Sequence, residues 1–287
     1  MPSAEPGRSL TLAAALREAE QHIGRIDARA LLCHVTGRDP AYLIAHADDR
    51  LSDGARLRYD ALVARRQRGE PVAYLTGERE FFGRSFKVTP AVLVPRHETE
   101  ILVEAVLERV PAESAARVLD LGTGSGCLAV TIALERPRAM VVAADRADDA
   151  LTVARENAAN LGARSVTVVS SDWYSALAGQ RFHVIVANPP YVARGDPHLA
   201  EGDLRYEPAH ALEGGSDGLE CIRSIVAGAA THLSEGGWLI LEHAHDQAEA
   251  VRALLAPPYW RDTFTWRDLA GIQRVTGARV AALRAPR

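Results

Sequence analysis

A strand, a glycine-rich turn, a helix and a second strand follow one another in the middle of the chain. Residues 118–121 form a short, mostly apolar run that is typical of a buried strand. Residues 122–126 lead from this strand into the helical run 127–135. The second strand, residues 140–144, ends at Asp145. Strands that alternate with helices in this way are typical of a doubly wound parallel sheet, so the pattern predicts an α/β fold.

The turn between the first strand and its helix contains Gly122, Gly124 and Gly126. Glycines at such a turn let a ligand approach the backbone where a Cβ would clash. Asp145 follows Gly126 by 19 residues, close to the spacing at which doubly wound units present an acid to ribose hydroxyls. The turn alone is weak evidence, because its spacing differs from that of pyrophosphate-binding dehydrogenases. With the strand, the helix and the acid, it favours a nucleoside ligand.

Two further strands end in polar or aromatic residues. Residues 166–169 are followed by Asp172 and Trp173, and residues 182–187 are followed by Asn188. Ligands of open α/β sheets collect at the carboxyl ends of the strands, so we expect these side chains to lie beside the glycine turn. Trp173 is a candidate to flank an adenine ring, with surface packing as the alternative.

Asn188, Pro189, Pro190 and Tyr191 form a turn that suits one kind of chemistry. Proline fixes φ, has no N–H and pushes the residue before it into extended backbone. The turn therefore presents the side-chain oxygen of Asn188 beside the carbonyl of Pro189, two acceptors that match the two protons of an NH2 group. Tyr191 is placed to cover the flat group that bears this nitrogen. For the motif in isolation, a plain strand-ending turn is the alternative.

Taken together, these motifs resemble the class I S-adenosylmethionine-dependent methyltransferases that act on planar amino or amide nitrogens. Within that class, the chain is similar to the bacterial release factor glutamine methyltransferase family over nearly its whole length. Further segments contribute to this resemblance. They are residues 71–77, 81–83, 94–96, 98–100, 157–158, 211–212, 214–215, 217–219 and 268–274.

The resemblance implies S-adenosylmethionine as methyl donor and S-adenosylhomocysteine as product. The implied substrate is the side-chain amide nitrogen (N5) of the glutamine in the Gly-Gly-Gln motif of peptide chain release factors. The expected cofactor-binding residues are Gly122, Thr123, Gly124, Ser125, Gly126, Asp145, Asp172, Trp173 and Asn188. The expected catalytic residues are Asn188, Pro189 and Tyr191, and the expected substrate contacts are Asn188, Pro189, Pro190 and Tyr191.

Two residues depart from the family pattern. His97 stands where the family usually has proline, and Ala244 stands where it usually has glycine. Both put the shape of the loops around the substrate in question, not the activity. A sibling family methylates a glutamine of a ribosomal protein and shares the Asn188 turn, but residues 98–100, Glu-Thr-Glu, favour the release factor family. Two more functions stay open: methylation of nucleic-acid base amino groups, and a binding module without catalysis.

Composition limits the partners. The net charge of −4 and pI near 6.2 argue against stable nucleic-acid binding, which normally needs a basic face. No apolar run is long enough for a membrane span, and residues 1–5 lack the pattern of a signal peptide. Three scattered cysteines form no metal or disulfide pattern. We therefore expect a cytoplasmic protein without a metal or a membrane partner, and a monomer.

Three segments are expected along the chain. Residues 1–70, rich in alanine and leucine at helical spacing, predict a small helical domain that the resemblance assigns to substrate recognition. Residues 71–95, with β-prone pieces around Gly77 and Gly83, predict a β-hairpin linker. Residues 96–287 then form a Rossmann-like class I methyltransferase sheet. Asp27 and Asp53 are predicted to cap helices of the first domain.

Several other residues leave two interpretations open. Five arginines between Arg56 and Arg68 form either a solvated helix face or a docking surface. The cluster of Glu242, His243, His245 and Asp246 has ligand-type side chains, but alternating faces of a strand disfavour a metal. Glu98 and Glu100 either contact the cofactor or the peptide, or simply flank a helix start that Thr99 caps. Ser125 and Ser171 lack the partners of a nucleophile.

Overall fold

The N-terminal part of the chain folds into helices, as its apolar spacing predicts. The computed structural model describes residues 10–281, and the chain divides into two compact units, Met1–Gly77 and Glu78–Arg287. Residues 1–5, which lack a signal-peptide pattern, lie outside the described residues. In the described part of the first unit the helices are α1 (Leu12–Ile23), α2 (Arg25–Thr36), α3 (Pro40–Ala45), α4 (Asp53–Gln67) and α5 (Val72–Thr76).

The core of the first unit is formed by the apolar faces of these helices. On α1, Leu12, Ala15 and Ala19 are buried, and on α4 the buried residues are Ala55 and Tyr59. The hydroxyl of Tyr59 donates to the carbonyl of Ala28 on α2 at 2.9 Å, so even the polar end of this ring has a buried partner. The predicted helical spacing is confirmed.

The two predicted caps in this unit are wrong by one to three residues. Helix α2 begins after Gly24, whose φ of 78° suits glycine, and Asp27 lies in the first turn instead. Helix α4 is capped by Ser52, whose hydroxyl accepts the N–H of Ala55, and Asp53 is the first helical residue. Serine and aspartate both favour the cap position, so their adjacency hides which of them takes it.

The arginines of α4 are largely paired within the first unit. Arg56 donates to Asp60 and Glu18, and Arg66 donates to Asp27. Arg65 pairs with Glu70. These pairs use the arginine charge locally, as expected for a solvated helix face. The Arg56 pairs are exposed and contribute little stability each, whereas the Arg65 and Arg66 pairs are partly buried.

A two-stranded antiparallel hairpin opens the second unit. It consists of β1 (Glu78–Phe81) and β2 (Arg84–Lys87), and its turn contains Phe82 and Gly83. The hairpin lies within the segment where it was predicted, but Val72–Thr76 is helical, not β. Helix α5 follows Pro71 and ends at Thr76, with Gly77 as a left-handed C-cap. Three of its residues are buried, and packing of this kind can override a local β propensity.

A seven-stranded sheet forms the centre of the second unit. Its strand order is β5-β4-β3-β6-β7-β9-β8, and among these described strands β9 alone runs opposite to the others, since it pairs antiparallel with both β7 and β8. The strands are β3 (Arg117–Leu121), β4 (Met140–Asp145), β5 (Val166–Ser170), β6 (Phe182–Ala187), β7 (Leu233–Glu242), β8 (Trp260–Arg267) and β9 (Gln273–Val280). The helices are α6 (Glu100–Arg109), α7 (Cys127–Glu135), α8 (Asp148–Asn160), α9 (Glu220–His232) and α10 (Ala248–Leu254). The predicted α/β class is confirmed.

Apolar clusters cover both faces of this sheet. Alternate residues of β3 point to opposite sides, so Val118 belongs to one cluster and Leu119 to the other. Helix α7 is buried along most of its length, which explains why its sequence is apolar all round. No helix within residues 10–281 combines the length and apolar character needed to cross a membrane.

The order in which the chain adds strands to the sheet changes direction between β3 and β6. From β3 the chain passes to β4 and β5 on one side, and it then returns to β6 on the other side. Leu121 and Ala187 are paired at the carboxyl ends of these two strands, so Gly122 and Asn188 leave the sheet side by side. A switch point of this kind opens a crevice at the carboxyl edge of the sheet.

Candidate active site

A cavity lies at this switch point. Most of the predicted site residues line it: Gly122, Thr123, Gly124, Ser125, Asp145, Asp172, Trp173, Asn188 and Pro190. The rest of the lining comes largely from the segment before α6, from the start of α7 and from residues 210–211. The structure thus brings residues from four strand ends into one space.

The glycine turn is held in shape by hydrogen bonds from its own residues. Gly122 and Gly124 have φ values of 73° and 54°, which favour glycine. Thr123 donates its hydroxyl to the buried carboxyl of Asp120 at 2.6 Å, and burial raises the pKa of Asp120 to about 7. The N–H of Gly124 donates to Asp145 at 2.9 Å. The turn is therefore fixed before any ligand arrives.

Asp145 retains acceptor capacity on the cavity side. Its two oxygens accept the backbone N–H groups of Gly124 and Ala147. A carboxylate has about four lone-pair sites, so two remain for hydroxyl donors. Trp173 is half-buried in the same lining, and its ring lies near Gly122. A flat aromatic face and a carboxylate with free lone pairs suit a nucleoside.

Gly126 has a packing role in the structure. It is buried, its φ is 80°, and a Cβ placed on it would lie 3.1 Å from the Cβ of Ala154. The backbone of the turn thus meets α8 closely, and Gly126 is not among the residues that line the cavity. Its part in cofactor binding stays a prediction.

Asn157 on α8 ties the glycine turn to the hairpin. Its Nδ2 donates to the carbonyls of Ser125 and Lys87 at 2.8 and 2.9 Å, and its Oδ1 accepts the N–H of Lys87 at 2.8 Å. The side chain is 1% exposed. All three partners are backbone groups, so the amide acts as a fixed clamp on two chain segments.

We expect Asn157→Ala to destabilise the second unit and to weaken ligand binding at the glycine turn. One buried and two partly buried backbone groups lose their partner, and such losses cost about 2–4 kcal/mol of unfolding free energy in total. Denaturant unfolding and calorimetric S-adenosylmethionine binding would measure the two effects. Asn160→Ala, at an exposed position of the same helix, is the matched control. Equal stabilities for the two variants would contradict the clamp.

The Asn188 turn leaves β6 at the cavity edge. The Nδ2 of Asn188 donates to the hydroxyl of Thr99 at 3.1 Å, which leaves Oδ1 as the free acceptor of this amide. Pro190 lines the cavity, whereas Pro189 is buried and not part of the lining. Tyr191 points to Glu242, to which its hydroxyl donates at 3.3 Å. Coverage of a substrate by Tyr191 stays a prediction.

A backbone ladder supports this turn from residues 212–218. Val192 donates to the carbonyl of Leu212, and Gly214 donates to the carbonyl of Val192. A Cβ on Gly214 would lie 2.6 Å from the carbonyl oxygen of Pro190 and 2.8 Å from the Cα of Tyr191. Only glycine permits this close approach of two backbone segments.

An ion pair that no sequence pattern indicates supports the cavity wall. Glu207 is 6% exposed, accepts the N–H of Val94 at 3.1 Å and pairs with Arg96. Burial raises the pKa of Glu207, and the Arg96 charge opposes this shift. Arg96 and Thr99 both line the cavity. Neither was predicted as a site residue, although the segment that contains them was singled out.

The two departures from the family pattern lie outside the cavity lining. His97 is exposed, with its Nδ1 3.3 Å from a carboxylate oxygen of Glu100. Together with Glu80 these two residues place three potential ligand atoms within 4.8 Å of one another. Ala244 closes a turn in which its N–H donates to Gln247. Neither His97 nor Ala244 therefore contributes to the cavity lining, and each makes its hydrogen bond within three residues.

Within the cluster at the end of β7, His243 is held by hydrogen bonds at both ring nitrogens. His243 is fully buried, with Nδ1 2.8 Å from the carbonyl of Ala244 and Nε2 2.9 Å from the hydroxyl of Thr276. Burial lowers the pKa of His243, as expected for a neutral ring that donates at one nitrogen and accepts at the other. His245 and Asp246 are exposed.

Comparisons with known proteins point to one family. Residues 11–77 match the PrmC N-terminal domain, and residues 96–203 match the Methyltransferase small domain. The release factor glutamine methyltransferase of Burkholderia pseudomallei is 54% identical over 261 residues, which cover 89% of this chain and 92% of the relative. The protein of the same name from Escherichia coli is 45% identical over 252 residues, with coverage of 88% and 91%.

A solved structure supports the fold. A methyltransferase from Pyrococcus furiosus covers 70% of this chain and 91% of its own, with a TM-score of 0.52 and 17% identity. At this identity the likeness concerns the fold alone. The relatives, in contrast, match over most of both chains at identities of 45% and 54%. The resemblance drawn from the sequence motifs is confirmed, and the chain belongs to the release factor glutamine methyltransferase family.

Proposed function

We propose that this protein transfers a methyl group from S-adenosylmethionine to the side-chain amide nitrogen (N5) of the glutamine in the Gly-Gly-Gln motif of release factors. One observation carries the proposal furthest. The Asn188 amide is held by Thr99 through its nitrogen, so that its oxygen is the group left to accept a hydrogen bond at the cavity edge. An acceptor fixed in this way suits the NH2 group of an amide.

The cavity residues fit the proposed methyl donor. Asp145 has lone pairs left for ribose hydroxyls, and Gly122 and Gly124, whose positive φ favours glycine, have no side chain to enter the ligand's space. Trp173 offers its face to the adenine ring, and Asp172 and Ser125 lie in the same lining. S-adenosylmethionine supplies a methyl group on a positively charged sulfur.

The protein's main task with an amide substrate is positioning. The lone pair of an amide nitrogen is delocalised into the carbonyl, so this nitrogen is a poor nucleophile. Asn188 Oδ1 and the Pro189 carbonyl accept one N–H each and hold the nitrogen in line. Both hydrogen bonds strengthen as the nitrogen becomes positive in the transition state, which is differential stabilisation. The methylated nitrogen is acidic enough to lose its proton to water, so no strong base is needed.

The remaining substrate contacts are assigned by the same proposal. Pro190 and Tyr191 border the glutamine, and the helical unit, which spans the predicted domain 1–70, holds the release factor. The predicted hairpin segment 71–95 joins it to the methyltransferase domain 96–287. The protein acts as a monomer, without stable nucleic-acid binding, in the cytoplasm where its substrate works.

Methyl transfer from labelled S-adenosylmethionine to a purified release factor tests the proposal. We expect label on the intact factor and none on a factor whose Gly-Gly-Gln glutamine is changed to alanine, because the acceptor nitrogen is then missing. Peptide mass spectrometry would locate the methyl group. Equal label on both factors, or label only on added nucleic acid or a ribosomal protein, would remove the release factor from the proposed function.

A further inference from the structure

Thr99 occupies the residue before α6, yet it does not cap that helix. Its φ and ψ of −70° and −17° are helical, and its side chain makes no capping hydrogen bond. Thr99 is the last residue of a short 3-10 turn, His97–Thr99, that leads into α6, so its backbone is not the extended one of an N-cap. Here the hydroxyl oxygen accepts the Nδ2 proton of Asn188 instead. Thr99 is 2% exposed and lines the cavity.

Glu242, the last residue of β7, is a buried carboxyl near Thr99. It is 2% exposed, and its Oε1 accepts the hydroxyl of Tyr191. Burial raises the pKa of Glu242 to about 7, and the neighbouring hydroxyl groups of Thr99 and Tyr191 oppose the rise. No donor within residues 10–281 reaches Oε2 with full hydrogen-bond geometry. The carboxylate therefore has acceptor capacity that Thr99 can use.

The single hydroxyl proton of Thr99 decides how the Asn188 amide is oriented. The hydroxyl of Thr99 has one proton. If that proton goes to the carboxylate of Glu242, only lone pairs of Thr99 face Asn188, and only the NH2 group of Asn188 can bind to them. The opposite orientation of the amide would bring the oxygen of Asn188 against the oxygen of Thr99, and both of these atoms would be acceptors. The oxygen of Asn188 is then directed away from Thr99.

We propose that Thr99 and Glu242 are positioning residues that fix the orientation of the Asn188 amide, with its oxygen available to the substrate NH2 group. This inference rests on the proposed function, since it concerns the same reaction. Neither residue touches the reacting atoms. Each acts through Asn188: Thr99 directly, and Glu242 by defining where the Thr99 proton lies.

When Glu242 is protonated, it no longer fixes where the hydroxyl proton of Thr99 lies. Besides Thr99, the groups that influence its titration are Tyr191, Arg274 and Glu98, and Cys127 lies near enough to be affected by its charge. A neutral carboxyl can itself donate to Thr99. The Thr99 proton is then free to bind the Asn188 oxygen, and the amide can turn its NH2 group towards the substrate. In that orientation the NH2 group of Asn188 faces the NH2 group of the substrate, and both are donors.

The test compares three variants with the wild-type protein in the release factor assay. We expect Thr99→Val to lower kcat about tenfold, the scale of one lost hydrogen bond, while the Kd for S-adenosylmethionine changes less than about threefold. Thr99→Ser keeps the hydroxyl and is expected to restore kcat to within about threefold. In the wild type, kcat should rise with pH through about 7, whereas Glu242→Gln, which cannot titrate there, should give a flat profile.

Several outcomes would overturn the inference. These are a Thr99→Val enzyme with wild-type kcat, a Thr99→Ser enzyme as slow as Thr99→Val, or a Glu242→Gln enzyme with an unchanged pH profile. Thermal melts identify a variant that fails to fold, and in that case the pH profile of Glu242→Gln decides. A wild-type protein that labels no release factor contradicts the proposed function itself, so the two failures are distinguishable.

Discussion

Asn188→Ala is expected to lose at least about 100-fold in kcat, the scale of one preorganised polar contact in a transition state. The change removes the acceptor at the cavity edge and leaves the backbone of the turn in place, because Pro189 and Pro190 still fix it. Binding of S-adenosylmethionine should weaken by no more than about tenfold, since at most one neutral hydrogen bond is lost. Single-turnover methylation and calorimetry measure the two quantities.

The comparison between the loss in kcat and the loss in S-adenosylmethionine binding shows which step Asn188 supports. A variant that binds S-adenosylmethionine but transfers the methyl group slowly supports a role of Asn188 in substrate positioning. It also argues against a non-catalytic binding module, because such a module has no methyl-transfer rate that a substitution of Asn188 could lower. Methylation by Asn188→Ala within tenfold of the wild type would end the proposed role. Thermal melting of the variant shows whether the loss of its bond to Thr99 has disturbed the fold.

Gly214→Ala is expected to lower both stability and activity strongly. A Cβ at this position would lie 2.6 Å from the carbonyl oxygens of Pro190 and Gly218 and 2.8 Å from the Cα of Tyr191. All three atoms belong to the backbone, so no side-chain rotation relieves the clash. Overpacking of this kind costs about 1–3 kcal/mol, and it displaces the turn that presents Asn188. Urea unfolding and steady-state kinetics would check the two losses.

The matched control is Gly54→Ala. Gly54 lies in α4, where only Arg58 comes within 4 Å of an added Cβ, at 3.9 Å. Alanine favours a helix over glycine by about 1 kcal/mol, so this variant should be at least as stable as the wild type. If Gly214→Ala unfolds at the same urea concentration as Gly54→Ala, the proposed close approach of the two backbone segments is wrong.

Local patterns predict the sheet of the second unit well. The strands that end at Leu121, Asp145 and Ala187 are recognisable because each is a short apolar run followed by polar or glycine residues. The carboxyl ends of parallel strands meet at one edge of a sheet. That rule brings the glycine turn, Asp145 and Asn188 together from the sequence alone.

Other features depend on residues that are distant in the chain. Arg96 and Glu207 are separated by 111 positions, and no spacing relates them. The helix Val72–Thr76 is set by the burial of its residues, which a short window does not reveal. Thr99 is a further case: its local sequence favours a helix cap, but the helical turn begins two residues earlier at His97, and the Thr99 oxygen accepts the distant Asn188. Positions at which a tertiary contact replaces a local one are those where sequence patterns fail.

The clamp made by Asn157 has a consequence for how this part of the sequence can vary. On the hairpin it binds the N–H and the carbonyl of residue 87, while the lysine side chain makes a separate, exposed pair with Glu156. The clamp is therefore indifferent to the side chain at position 87 and excludes only proline, which has no N–H. A position that helps to shape the glycine turn can thus change its chemistry freely in evolution and leave no trace of its structural role.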